Sequence, residues 1–165
     1  MGSALVERSM GIEKIAVLGA GQMGNGIAQV AACAGYDVTM IDIKQEYVDK
    51  GLAAIENSLS RVVKKERMTA EEAANALARV KIATDKSAAA DADLVVEAIP
   101  EIPDLKFSTF AELDQICKPE AILASNTSSI SINAIAAATS RPDRVIGMHL
   151  SLIHISEPTR RTPIS

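Results

Sequence analysis

Gly19-Ala20-Gly21-Gln22-Met23-Gly24 has the spacing G-x-G-x-x-G, which suits a backbone that turns sharply and then lies against a pyrophosphate. Gly19 permits the turn, Gly21 keeps a Cβ out of the way of a phosphate, and Gly24 lets the next helix approach its strand. Gln22 and Met23 open that helix, whose unpaired N–H groups would meet the phosphates. Glycine triplets also occur in turns that bind nothing, so context decides. Here the apolar run "KIAVL" comes before, helical spacing comes after, and Asp42 ends the next apolar run, 18 residues past Gly24. Asp42 can accept hydrogen bonds from both ribose hydroxyls and would repel a 2′-phosphate, which predicts NAD rather than NADP; a cation at Lys44 would offset that repulsion in part. A domain of this shape that has lost its nucleotide is the alternative.

A second group of polar residues follows another apolar run. "ILASNTSSI" places Ser125, Asn126, Thr127, Ser128 and Ser129 just past a buried strand, where open α/β sheets put their ligands. Taken alone, this run reads better as a polar turn capping the next helix. His149 ends a further apolar run, and a lone histidine there is more often structural than catalytic.

These residues need a scaffold that brings strand ends together. Short apolar runs at "KIAVL", "DVTMIDI", "VKIAT", "ADLVVEAI", "AILASN" and "RVIGMHL" read as six buried strands,. Helical patterns separate them, with Gly35 placed as the residue just past the first helix. Residues 44–66 form a long amphipathic pattern with Val48, Leu52, Ile55 and Leu59 on one stripe, and Thr69 and Glu72 are spaced as a capping box that starts a second helix. The expected fold is α/β: a Rossmann-type, doubly wound parallel sheet with an inserted helical hairpin.

Composition supports one ordinary globular domain, since 48% of the 165 residues are hydrophobic and 23% charged,. With 21 acidic against 17 basic side chains, nothing would draw the chain to a phosphate backbone, so nucleic acid is not an expected partner. No apolar run is long enough for a membrane span, and the expected location is cytoplasmic. Cys33 and Cys117 are far apart in no metal-ligand spacing, which predicts two reduced, buried thiols and no metal.

"GAGQMGNGIAQ", "VVEAIPE", "SNTSSI" and "RPDRVIGMH", in this order and at these separations, resemble the N-terminal NAD-binding domain of the L-3-hydroxyacyl-CoA dehydrogenases, and within that family the bacterial 3-hydroxybutyryl-CoA dehydrogenases. The resemblance covers about residues 12–149. It implies that His149 is the general base for the 3-hydroxyl and that Ser128, 21 residues earlier, hydrogen-bonds the reacting oxygen. Asn126 then stands beside the nicotinamide end of the cofactor, and Glu101 and Lys106 line the cofactor cleft. Ser58 and Lys65 match positions facing coenzyme A, although for these two a solvated helix face explains the residues equally well. An acyl-CoA substrate and a homodimeric parent enzyme are likewise implied. Two other readings stay open: a non-catalytic NAD-binding module, and a dehydrogenase of a hydroxy acid not linked to coenzyme A.

The family pattern breaks after His149, where its Asn-Pro turn and orienting glutamate do not follow. The family's C-terminal helical domain, through which the parent would dimerise, is expected to be absent. Residues 1–11 read as an N-terminal extension and 12–149 as the NAD-binding domain. Residues 150–165, which include "LSLIHISEPTR", resemble the translation of a transposase adapter used for sequencing libraries, and an artefactual tail is expected. A chain ending so is expected to be nearly inactive.

Overall fold

The computed structural model describes residues 11–148; His149 and the expectations for residues 1–10 and 150–165 lie outside them. Six strands make one sheet: β1 (Lys14–Leu18), β2 (Asp37–Ile41), β3 (Val80–Ala83), β4 (Leu94–Glu97), β5 (Ile122–Ser125) and β6 (Val145–Gly147). All neighbours are parallel and the order is β3-β2-β1-β4-β5-β6. The expected Rossmann-type sheet is therefore present, with its reversal of winding between β1 and β4.

The strands read as unbroken apolar runs because both faces are covered. In β1, Ile15 and Val17 enter the core under α1 (Gln22–Cys33), α2 (Gln45–Lys64) and α3 (Ala70–Ala78). Ala16 and Leu18 enter the core under α4 (Pro103–Ile116) and α5 (Ile132–Ala137). On α2 the stripe buries Val48, Ile55 and Leu59, and Gly51 with them. The capping box forms as expected: Glu72 N–H donates to Thr69 Oγ1 at 3.1 Å and Thr69 N–H to Glu72 Oε1 at 3.3 Å. The α2–α3 hairpin packs on α1.

Two charged side chains brace the scaffold, Arg141 buried and Asp93 partly so. Arg141 donates to Asp114 Oδ1 at 2.7 Å and to the carbonyls of Asp114, Cys117, Lys118 and Ala121. It thereby satisfies acceptors that the end of α4 leaves open. Asp93 accepts from the N–H groups of Glu13 and Lys14 and from Lys118 Nζ, tying the start of β1 to that of β4.

One expectation is corrected. Cys117 is buried, but Cys33 is exposed, because it falls off the stripe Ile27, Ala28 and Ala32 by which α1 meets the sheet. No described helix is long and apolar enough to cross a membrane. Among the described residues no cluster of three or more His, Cys, Asp or Glu is placed to hold a metal.

Candidate active site

Strand register aligns the candidate residues. Ile41, Leu18, Glu97, Ser125 and Gly147 are successive partners in one row across the carboxyl end of the sheet. Asp42, Gly19 and Asn126 each follow that row by one residue, so positions far apart in sequence share one edge.

On the β1 side the site is made of backbone. Gly19 has φ +105°, and a Cβ there would stand 2.4 Å from the Ala98 carbonyl oxygen. A Cβ on Gly24 would stand 1.8 Å from the Gly19 carbonyl oxygen, so α1 can leave the loop at this angle only without a side chain. Around Gly21, by contrast, a Cβ meets nothing within 4 Å: the open space lies at the N-cap of α1. Gln22 is exposed there and Met23 partly buried. Asp42 is fastened to the same loop, accepting from Ala20 N–H at 2.8 Å and Ile43 N–H at 2.7 Å. Each carboxylate oxygen keeps acceptor capacity for a ribose hydroxyl. Lys44 does not reach back to Asp42's charge; its Nζ lies over the Tyr47 ring, 5.5 Å from the centroid.

On the β4–β5 side the site is made of charged side chains. Glu97, fully buried, accepts from Ser125 Oγ at 2.6 Å, Ile99 N–H at 2.8 Å and Lys106 Nζ at 2.6 Å. Lys106 also pairs with Glu101 Oε1 at 3.1 Å. Glu101 in turn accepts from Thr127 Oγ1 at 2.7 Å, Ser128 N–H at 2.9 Å and Ser128 Oγ at 3.2 Å. Partial desolvation pushes the Glu101 carboxyl up, but the hydrogen bonds from Ser128 and Thr127 and the Lys106 charge outweigh it and bring it down to about 2,. Asn126 extends from the strand end, its N–H bonded to the Glu97 carbonyl at 2.9 Å. Among the described residues no buried side-chain N or O lacks a partner.

The structure thus brings Ser128, Asn126, Glu101 and Lys106 to one sheet edge beside the glycine loop and Asp42. Lys106 is the innermost of these, with only 1% of its surface exposed. Ser58 is half-buried on α2 and Lys65 exposed just past its end. No hydrogen bond or ion pair among the described residues links them to this group. Glu97 was not evident as a site residue in the sequence; its only signal is an acid closing the apolar run "LVVE".

Residues 14–152 match the family model described as 3-hydroxyacyl-CoA dehydrogenase, NAD binding domain. The chain belongs to this family. Its cofactor is NAD, and the residues present fit it: open space at Gly21, an anion-ready helix start, and Asp42 beside the loop,. Among its relatives, a Deinococcus radiodurans protein named "Probable 3-hydroxybutyryl-CoA dehydrogenase" is 52% identical over 136 residues, covering 82% of this chain and 49% of the relative. The 3-hydroxybutyryl-CoA dehydrogenase of Bradyrhizobium diazoefficiens is 49% identical over 138 residues, 84% of this chain and 47% of its own. The crystal structure of (S)-3-hydroxybutyryl-CoA dehydrogenase from Ralstonia eutropha superposes with a TM-score of 0.83 at 47% identity, covering 85% of this chain and 50% of that one. The chain spans about half the length of the curated relatives it matches.

Proposed function

We propose that this chain carries the NAD-binding half of an enzyme that interconverts a (3S)-3-hydroxyacyl-CoA, namely 3-hydroxybutyryl-CoA, and its 3-oxoacyl-CoA. The observation that carries the reading is the single edge on which Asn126 and the Glu101-held Ser128 stand beside the glycine loop and Asp42. NAD, when bound, supplies the hydride acceptor for C3. His149, two residues past the row's last member Gly147, takes the proton of the 3-hydroxyl as general base. An imidazole with its ordinary affinity for protons exchanges one readily near neutral pH. Ser128 hydrogen-bonds the reacting oxygen and Asn126 borders the nicotinamide end. Ser58 and Lys65 face coenzyme A, where the lysine would meet a phosphate. The proposed parent is a cytoplasmic homodimer that acts on neither nucleic acid nor membrane.

A fluorescence titration of this chain with NADH and NADPH tests the cofactor half, with binding of NADH at least about tenfold tighter as the expected result. Absence of NADH binding would overturn the proposal. Lys65→Ala tests the substrate class: it should weaken binding of acetoacetyl-CoA and leave NADH affinity unchanged. Unchanged acetoacetyl-CoA affinity would favour a hydroxy acid not linked to coenzyme A.

A further inference from the structure

We infer that Gly51 is a positioning residue for Asp42: the Cβ it lacks lets α2 rest directly on the glycine loop, holding Ala20 where its N–H aims the carboxylate at the ribose. The inference rests on the reading of Asp42 as the acceptor for the ribose hydroxyls. Within a helix, glycine is a poorer choice than alanine because it gives up more freedom on folding. Gly51 lies inside α2 and is buried, so its surroundings and not the helix explain the residue.

Those surroundings are the loop itself. A Cβ on Gly51 would stand 2.9 Å from the Ala20 carbonyl oxygen, 2.9 Å from Met40 Cε and 3.1 Å from Ala20 Cβ. The Met40 methyl ends a flexible side chain and can turn aside. Ala20 is held at both ends: its N–H donates to Asp42 Oδ2 at 2.8 Å, and its carbonyl accepts from Asn25 Nδ2 at 3.4 Å. A methyl added at Gly51 can be relieved in two ways. Lifting α2 would draw Val48 and Ile55, both fully buried on the same helix, out of the core and open cavities beneath them,. Shifting Ala20 only stretches hydrogen bonds, which costs less, so the loop yields first. Of the two N–H groups that hold the Asp42 carboxylate, only that of Ile43, at 2.7 Å from the other oxygen, then remains. A carboxylate held by one bond can turn about it and no longer presents both oxygens in fixed places.

The test is a double-mutant cycle read by NADH titration and by hydrogen exchange of the Ala20 amide. Gly51→Ala should weaken NADH binding about tenfold, and in an Asp42→Ala background by less than about twofold, because its effect passes through the carboxylate. Equal weakening in both backgrounds, or none with Asp42 in place, overturns the inference. Without any cofactor, the Ala20 amide should lose exchange protection in Gly51→Ala while the amide of Val17, inside β1, keeps its own. A lower urea midpoint with NADH affinity and the Ala20 amide both unchanged makes Gly51 a packing residue only and overturns the inference. If the unaltered chain fails to bind NADH, the functional reading falls, and the Ala20 amide still decides whether Gly51 holds the donor that aims Asp42. Should Gly51→Ala fail to fold, Gly51→Ala/Met40→Val removes the yielding contact, keeps the clash with Ala20 and is held to the same readouts.

Discussion

Where β1 ends, the chain makes room: Gly24 has no Cβ because one would stand 1.8 Å from a carbonyl oxygen, and Gly21 faces open space. Where the neighbouring strand β4 ends, at the same level of the sheet, the chain does the reverse and fills the interior with Glu97 and Lys106. Room for a ligand is needed where a pyrophosphate lies along backbone, and a fixed side chain is needed where one hydroxyl must meet one oxygen. The first is achieved by omission and tolerates no added atom; the second is achieved by pairing and tolerates no removed charge. Substitutions on the two sides should therefore fail in different ways.

The largest effects should come from Gly24→Ala and from Lys106→Met made singly. The methyl group added by Gly24→Ala would force the start of α1 away from Gly19, and a loss of about 3 kcal/mol or more is expected from overpacking against backbone. Gly21→Ala, in the same loop, should change stability by less than about 0.5 kcal/mol. It should nevertheless weaken NADH binding by at least about tenfold, because its Cβ enters the space kept for phosphate. Urea denaturation beside an NADH titration separates the pair; equal stability losses in both would break the contrast drawn for the glycine loop. Lys106→Met alone strands Glu97 as an unpaired buried charge and should cost about 3–5 kcal/mol. The double variant with Glu97→Gln should recover most of that, and no recovery would mean that packing around Lys106, not its charge, carries the effect.

How far all this could be read in the sequence differs between the two sides for the same reason. The glycine spacing, the acid at Asp42 and the apolar runs are local patterns, and all six strands and both members of the helical hairpin stand where those patterns put them. The buried network is not local: Glu97 meets Lys106 9 residues on and Ser125 28 residues on. An acid closing an apolar run reads the same whether it ends in water or in the core. Arg141 was silent likewise, because its partners are mostly carbonyls around the end of α4, which no residue type announces. Cys33 erred in the opposite sense: its residue type favours burial, but its place on the helix faces away from the sheet.

Acid should act mainly on the charged side. The Glu101 carboxyl lies at about 2 in the fold against a usual 4.5, so its contribution is complete above about pH 4.5 and disappears as pH falls towards 2. Asp114 adds in the same direction: desolvation raises it, but hydrogen bonds from Ser140 and Arg141 outweigh this and lower it from 3.8. Urea midpoints measured across that window should fall with pH, and Glu101→Gln should flatten part of the slope. An unchanged slope in Glu101→Gln would mean that the carboxylate bonds to Thr127 and Ser128 add nothing to stability, and that the charged side of the site is held by Glu97 and Lys106 alone.

The smallest expected effect carries the logic of omission away from the site. Helices α1 and α2 both end with the paired backbone bonds of a left-handed turn: Tyr36 N–H to the Ala31 carbonyl and Gly35 N–H to Ala32, then Arg67 N–H to Val62 and Glu66 N–H to Val63,. Gly35 fills the positive-φ position of the first at φ +99°, whereas a side chain fills it in the second, Glu66 at φ +58°. A non-glycine residue there costs about 1 kcal/mol against the right-handed alternative. Glu66→Gly should therefore stabilise the chain, but only by about 0.5–1 kcal/mol, since glycine also gains freedom in the unfolded state. Glu66 is exposed and lies at the tip of the hairpin, so the glycine loop should not register the change. A small rise in the urea midpoint with NADH affinity unaltered is the expected outcome. If the variant instead loses stability, the left-handed turn at Glu66 is held by its side chain, and omission of a Cβ would be a requirement of the glycine loop rather than of this backbone geometry in general.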